Sequence, residues 1–392
     1  MSRRSAAIGS AAPVIDTRPA PAAGRITVEI ARDLKLPAAD AAAIDALIAA
    51  RPQVGVFVSR AWLAGLFEEA PLGAEPLLLL LRDGATLRGV APVAIVRTRT
   101  HVRVTLLGGG TGSDRVDLLA ARGFETACAD AFMAWIAESY GRRGYVIAYR
   151  DVPAESPLWG AMHRANDAGS SSLAFQPRDI YTLPYLDLSE SRNQSLKSLD
   201  KHRRWLERRG RLRIELLQDP QEALSAFASL TEFLHARWSG RGEGSALDAP
   251  RTARFHRRVI PLLLRDELLR MMRLSIDMRT VAVFYGMAAG KWWGYYLAGY
   301  DREWAGRIHL GQITLAAAVD MAAREGAAEF DFLKGVERVK YLWPVRERTC
   351  IDADAYSAHW GSQFNRARRA GRNAAAACVK SARHLSAAIT SR

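Results

Sequence analysis

Cysteine is scarce in this chain: Cys128, Cys350 and Cys378 are the only three in 392 residues. They are too few and too scattered for a disulfide framework or a CxxC metal cluster, so a reducing compartment is expected. Long apolar runs are missing as well. The stretches at 76–81 and 312–323 are short or interrupted by Asp320, which excludes a membrane-spanning helix of ordinary length. The first 24 residues open with two arginines but lack the Leu-rich core of a secretory signal. Residues 1–24 are expected to be a disordered leader, with a twin-arginine export signal as the alternative. The eight histidines show no HxxxH or HExxH spacing, and neither a GxSxG elbow nor a GxxxxGK[ST] loop occurs. Metallohydrolase, serine hydrolase and nucleotide-triphosphatase chemistry are therefore poor readings, and no metal is expected.

What is present is a globular composition, 49% hydrophobic and 24% charged, in a chain long enough for two full cores. The net charge of +14 is local. Residues 192–213 hold nine Lys/Arg against Asp200 and Glu207, a net +7, and residues 361–392 hold seven with no acid, another +7. Two basic segments on a neutral body point to phosphates or an anionic surface; a solvated helix and a loose tail are the alternative. In the helix expected at 194–209, Lys197, Lys201, Arg204 and Arg208 fall on one stripe.

Periodicity predicts a strand at 26–31, helices at 38–50 and 59–69, and strands at 76–82 and 87–97 joined by Asp83-Gly84. A third strand ends in Gly108-Gly109-Gly110, a helix covers 123–140, and a strand follows at 145–149. The same grammar returns: strand 211–217, helices 220–237 and 250–265, strands 269–276, 280–287 and 291–300, helix 312–325, strand 328–333. LRGVAPVAIV (87–96) aligns with MRTVAVFYGM (278–287), and YGRRGYVIAYRDVP (140–153) with AREGAAEFDFLKGVE (323–337). An internally duplicated α/β unit is expected, with units at 25–190 and 191–360 and a basic Ala-rich tail at 361–392.

Three constellations are suited to chemistry. After the strand at 328–333, Asp331, Lys334, Glu337 and Lys340 recur at intervals of three, with Gly335 between them. Such spacing gathers a carboxylate that orients an acceptor and an ammonium that holds an anion; a solvated charged turn reads equally well from spacing. Second, Arg307, His309, Leu310, Gly311 and Gln312 stand at a helix mouth, where backbone N–H groups and the helix dipole favour a pyrophosphate. Third, Trp238 beside Arg237, and Tyr300 at the end of an aromatic strand, are candidate substrate contacts, whereas Trp293 and Tyr295 read as core.

The runs LDKHRRWLERRGRLRIE (199–215), HARWSGRG (235–242), FHRRVIP (255–261), LAGYD (297–301) and EFDFLKGVERVKYLW (329–343) resemble the CelD/BcsL-type acetyltransferase family of the GNAT superfamily. FVSRAW (57–62) and LRGVAPV (87–93) are similar to that family's first domain. The likeness spans roughly 50–350; Val339 departs from it where the family has an aromatic, and His309-Leu310 where it often has Ser-Pro. The resemblance implies tandem GNAT-like α/β (α+β) domains, each a mixed, largely antiparallel sheet flanked by helices. It implies acetyl-CoA or another acyl-CoA in a V-shaped opening of the second domain, with the pyrophosphate on the 307–312 loop. Carried over from the family, its strand-end acid falls on Asp331, its glycine on Gly335, its second acid on Glu337 and its lysine on Lys340. Asp331, Glu337 and Lys340 are thus the expected catalytic group, with Gly335 joining Trp238, Tyr300 and Lys334 as expected acceptor contacts. The implied reaction moves an acyl group to an amine or hydroxyl, in cellulose or exopolysaccharide synthesis, in the cytoplasm. The expected partners are a small or sugar acceptor, anionic in one version, and peripherally a membrane or a synthesis complex. The alternatives are a Fem-type aminoacyl-tRNA-dependent transferase, the one case in which nucleic acid is a partner, and a non-catalytic scaffold.

Overall fold

A computed structural model of the protein describes residues 25–167, 173–191, 212–239, 244–304, 309–335, 337–368 and 370. The leader, the basic stripe at 194–209, Arg307 and most of the tail lie outside the described residues.

The first half runs β1 (Thr27–Ala31), α1 (Ala38–Ala50), α2 (Arg60–Glu68), β2 (Ala74–Asp83), β3 (Thr86–Arg97), β4 (Val102–Leu106), the two-residue β5 (Leu119–Ala120), α3 (Glu125–Tyr140), β6 (Tyr145–Pro153), α4 (Pro157–Asp167) and β7 (Leu173–Asp187). The second half runs β8 (Leu212–Leu216), α5 (Pro220–Ser239), α6 (Pro250–Arg265), β9 (Leu269–Ile276), β10 (Arg279–Ala289), β11 (Trp292–Tyr300), α7 (Leu310–Arg324), β12 (Glu329–Asp331) and β13 (Arg346–Ser357). A last helix, α8, covers 360–368. Local chemistry explains the boundaries. Ser59 caps α2 by accepting the Trp62 amide at 3.3 Å. Pro250 stands in the first turn of α6.

All the described strands join one sheet in the order β1-β2-β3-β4-β6-β13-β7-β12-β11-β10-β9-β8, with β5 beside β3. Read from either end, the order is the same: β1-β2-β3-β4-β6 mirrors β8-β9-β10-β11-β12. In both copies the fourth strand pairs in parallel with the strand after the helix. The backbone repeats too. Gly144 and Gly326 precede that strand at φ 75° and 78°, and seven residues later Asp151 and Leu333 are left-handed at φ 56° and 52°. The duplicated tandem fold expected from the sequence is therefore present.

At the middle the copies exchange strands. β7 of the first half pairs antiparallel with β12 of the second, and β13 of the second pairs antiparallel with β6 of the first. β7 and β13 then pair with each other from Leu173↔Ser357 to Tyr185↔Arg346. β7 ends at Asp187, close to the boundary expected near 190, but the sheet continues without a seam from β6 through β13 and β7 to β12.

One face of the sheet carries a core built from both halves, in which α1 and α2 meet α5 and α6. Trp62 of α2, fully buried, lies 4.8 Å edge-on from Phe255 of α6 and 5.5 Å from Tyr296 of β11. The helices cross at Gly65, where a Cβ would come within 2.4 Å of Val259 and 2.6 Å of Phe255. The opposite face is covered separately, by α3 and α4 in the first half and α7 in the second.

Candidate active site

β11 and β12 pair over only three positions, Trp292–Gly294 against Glu329–Asp331. Past that point they part. A bulge in the β10–β11 ladder, where Tyr285 faces Leu297 and Gly286 faces Tyr295, leaves Tyr296 as an extra residue and bends β11 away. Tyr295, Tyr296, Leu297 and Ala298 are all half-buried, although they lie in the interior of the sheet order, whereas residues 281–289 of β10 are buried throughout. This stretch of β11 is bonded to β10 on one side and forms the lip of a cleft on the other. Helix α7 opens beside it. The His309 carbonyl receives the amides of Gln312 and Ile313, at 2.9 and 3.1 Å. The amides of Leu310 and Gly311 belong to the first turn, which has no acceptor within its own helix. A Cβ at Gly311 would stand 3.3 Å from the Tyr300 ring, so the helix mouth is packed on the end of the lip. The exposed His309 and half-buried Gln312 flank that mouth, while the Leu310 side chain is buried in the core.

In the first half β4 and β6 part in the same way after Thr105 and Ala148. Here the chain itself fills the gap. Gly109 lies against Arg150, the Val116 amide bonds to the Asp151 carbonyl at 2.9 Å, and the Gly110 amide bonds to the Asp151 carboxylate at 2.6 Å.

That filling loop reaches across to the second cleft. Lys334 Nζ donates to Asp151 Oδ1 at 2.6 Å and lies 4.5 Å from the centre of the Tyr181 ring, whose hydroxyl donates to the same carboxylate. The Lys334 amide donates to Asp114 Oδ2 at 3.2 Å, and the Tyr296 hydroxyl to the Gly112 carbonyl at 2.8 Å. Burial pushes the Asp114 carboxyl up to about 6, with the charge of Asp151 adding to the effect while the Lys334 amide and the charges of Lys340 and Lys334 oppose it. Burial would discharge Lys334, but the Asp151 bond and charge prevail and hold its ammonium above the ordinary value. Tyr296 is raised well above the usual phenol range, first by burial and then by Asp114, so it stays a neutral donor.

The predicted 331–340 cluster divides into two roles. Asp331 is fully buried and engaged: Oδ1 accepts the Leu333 amide at 2.8 Å, and Oδ2 accepts Arg348 at 3.0 Å with Arg115 at 3.9 Å. Lys340 is 1% exposed and bonds the Lys334 carbonyl at 2.9 Å, the Gly335 carbonyl at 3.4 Å and Glu337 at 2.9 Å, stapling the turn from inside. Gly335, at φ 128°, has no room for a Cβ between Glu337 and Lys340. Lys334 and Glu337 keep partial exposure. Tyr295 lies under Lys340, whose ammonium is 5.3 Å from the ring centre; burial raises its hydroxyl above the ordinary phenol value, with Glu337 and Tyr300 adding to the effect and Arg237 opposing it. Trp238, at the end of α5, is flanked by Arg237, and Arg302 of the β11–α7 connection bonds back to the Ala236 carbonyl at 2.8 Å. Lys334, Gly335, Glu337 and Lys340 thus form one turn held from inside by Lys340, with Tyr295 against it and Tyr300 further along the same strand. Sequence reading missed Asp114, Asp151 and Tyr181, which come from the first half. The available signal was Gly112-Ser113-Asp114-Arg115 after the glycine run. Among the described residues no group of three His, Cys, Asp or Glu is placed to hold a metal ion.

Residues 193–341 match the family model for an acetyltransferase (GNAT) domain. No curated protein matches the chain. Among solved structures, FemX superposes with a TM-score of 0.58 at 11% identity, covering 84% of this chain and 98% of that one. A tandem GNAT protein from the clavulanic acid biosynthesis pathway gives 0.47 at 14%, covering 85% and 98%. The C-terminal domain (DUF2156) of a putative lysylphosphatidylglycerol synthetase from Agrobacterium fabrum gives 0.49 at 12%, covering 81% and 92%. At such identity the likeness to FemX concerns the fold alone, and the match to the acetyltransferase (GNAT) domain model lies in the second half.

Proposed function

We propose that the protein is an acyl-CoA-dependent acyltransferase in which the second half holds the thioester and the first half supplies the base. The observation that carries this reading is the half-exposed lip at Tyr295–Ala298 with Asp114 beside it. The residues present fit acyl-CoA: a strand edge that, among the described residues, has no ladder partner beyond Gly294 and can pair with an extended amide-bearing arm, and a helix mouth whose first-turn amides have no acceptor within the helix and suit a pyrophosphate. Bound there, acyl-CoA supplies an activated thioester carbonyl. A backbone N–H of the lip polarises that oxygen. Asp114, held by the Lys334 amide, takes the proton from an incoming amine or hydroxyl, and a carboxyl at about 6 is matched to that task near neutral pH. Glu337 is the second candidate base, since Asp331 is consumed by Arg348 and Arg115. Lys334, half-exposed beside Asp114, gives the acceptor a cationic neighbour. A sugar or polysaccharide precursor in the cytoplasm follows from the CelD/BcsL resemblance.

The Fem-type reading, aminoacyl transfer from tRNA, draws on the fold likeness to FemX. Thermal stabilisation separates the two. Acetyl-CoA at a hundred times its dissociation constant adds about 2.7 kcal/mol, and thiol release with a panel of amines and sugars reports the acceptor. Stabilisation by aminoacyl-tRNA with none from any acyl-CoA would overturn the first reading in favour of the second.

A further inference from the structure

The end of the sheet away from the site has a composition the proposed reaction does not use. Helix α8 is fixed there by its inner face. Ser362 Oγ bonds the Ser357 carbonyl at 2.8 Å, Asn365 Nδ2 meets His101 Nε2 at 2.9 Å, and Gly361 sits on the Thr100 carbonyl so closely that a Cβ would overlap it. Its outer face therefore cannot roll inward. That face shows Trp360, 67% exposed, Phe364, 60% exposed, and Arg368, each one turn after the last. Two large apolar side chains in one stripe on an anchored helix are an unusual expenditure of surface.

The surroundings are basic. His359 abuts Gly144, which places α8 against Arg142 and Arg143, and the contact with Thr100 places it against Arg99. Arg143 bonds the Thr98 carbonyl at 2.9 Å, tying these two turns together. Arg99, Arg142, Arg143, Arg366 and Arg368 are all exposed.

We propose that this end of the molecule docks on the surface of an anionic lipid bilayer, with Trp360 and Phe364 entering the headgroup boundary and the arginines facing lipid phosphates. Aromatic side chains flanked by arginine match that boundary in both polarity and charge. A nucleic-acid duplex would use the arginines but has no exposed base faces for the aromatic stripe. Among the described residues no helix is long and apolar enough to cross a membrane, and the contact proposed is a peripheral one. The inference stands apart from the acyltransferase reading, since it uses no residue of the site.

The test is cosedimentation of the full chain with phosphatidylcholine vesicles, with and without phosphatidylglycerol, in about 0.1 M salt, where screening extends over roughly 10 Å. The parent is expected to bind only the phosphatidylglycerol vesicles. Trp360→Ser with Phe364→Ser should weaken binding at least about tenfold. Arg366→Gln with Arg368→Gln should weaken it about thirtyfold, or about fivefold for each charge. Both pairs are exposed, so unchanged melting temperatures are expected. Absence of vesicle binding by the parent, equal binding to neutral vesicles, or full binding by the aromatic variant would each overturn the proposal, as would binding to RNA with none to vesicles.

Discussion

In the proposed reaction Asp114 is the residue on which the site turns, and it comes from the half whose own gap is filled by the chain. Its carboxyl, pushed to about 6 mainly by burial, lies above the ordinary carboxylate value. Two opposite effects follow. A base must be deprotonated, so turnover should fall as pH drops through about 6, and Asp114→Asn should lower kcat by about 10²–10⁴ while removing that acid limb. For stability, a raised carboxyl contributes most below its unfolded value, and that contribution is lost as pH rises through about 6. Asp114→Asn should therefore melt higher than the parent at pH 8, with the gain vanishing below pH 4. Paired kinetic and melting profiles measure both. A variant that loses activity and stability together would mark Asp114 as a structural residue only.

At the scale of elements, the start of α7 makes the sharpest claim. Gly311 has 3.3 Å between its absent Cβ and the Tyr300 ring, room for a hydrogen but not for a branched side chain facing a ligand. Gly311→Val should weaken CoA at least about tenfold, the scale set by losing a close backbone approach to phosphate. Calorimetric titration checks it, and an unchanged affinity with unchanged melting would remove the pyrophosphate from this helix mouth. The elements themselves were largely legible. Helix α6 at 250–265, α1 at 38–50 and strand β9 at 269–276 fall where periodicity put them. β7, β13 and α4 were not legible. β7 carries Pro177, Arg178, Asp179 and Pro184, and β13 reads RERTCIDADAYS, so neither alternates apolar and polar residues. Their charges are answered across the sheet instead of by water. Asp354 would be raised by burial, yet Arg150 at 2.6 Å and Arg178 at 2.5 Å hold it below the usual carboxylate range. Arg348 closes on Glu329 and Asp331 and stacks 3.8 Å from Tyr185. A strand whose partners are ionic and distant in sequence has no period to read. For the same reason the site was half visible: the 331–340 run showed itself by spacing, but the groups from 110–115, 151 and 181 arrive only through the exchanged strands.

For the whole molecule, the shared core and the exchanged strands predict a single unfolding event. Trp62→Ala empties a position enclosed by Phe57, Phe255 and Tyr296 and should cost about 3–5 kcal/mol, with no transition splitting off. Scanning calorimetry should give equal calorimetric and van't Hoff enthalpies. Two resolved transitions would show that the halves are independent after all. Residues 191–392 alone would lack β7 and leave β12 unpaired on that side, so the second half is not expected to fold by itself.

The exchange also imposes an order on synthesis. The first half leaves the ribosome with its β6 edge unpaired, because the strand that covers it, β13, is not made until residue 357. At 5–20 residues per second that edge waits roughly ten to forty seconds after β6 emerges. An open edge is a template for the wrong partner, and a neighbouring nascent copy offers the same strands. The yield of folded protein should therefore depend on how crowded translation is, and on any chaperone that shields the edge of β6 until the chain is nearly complete.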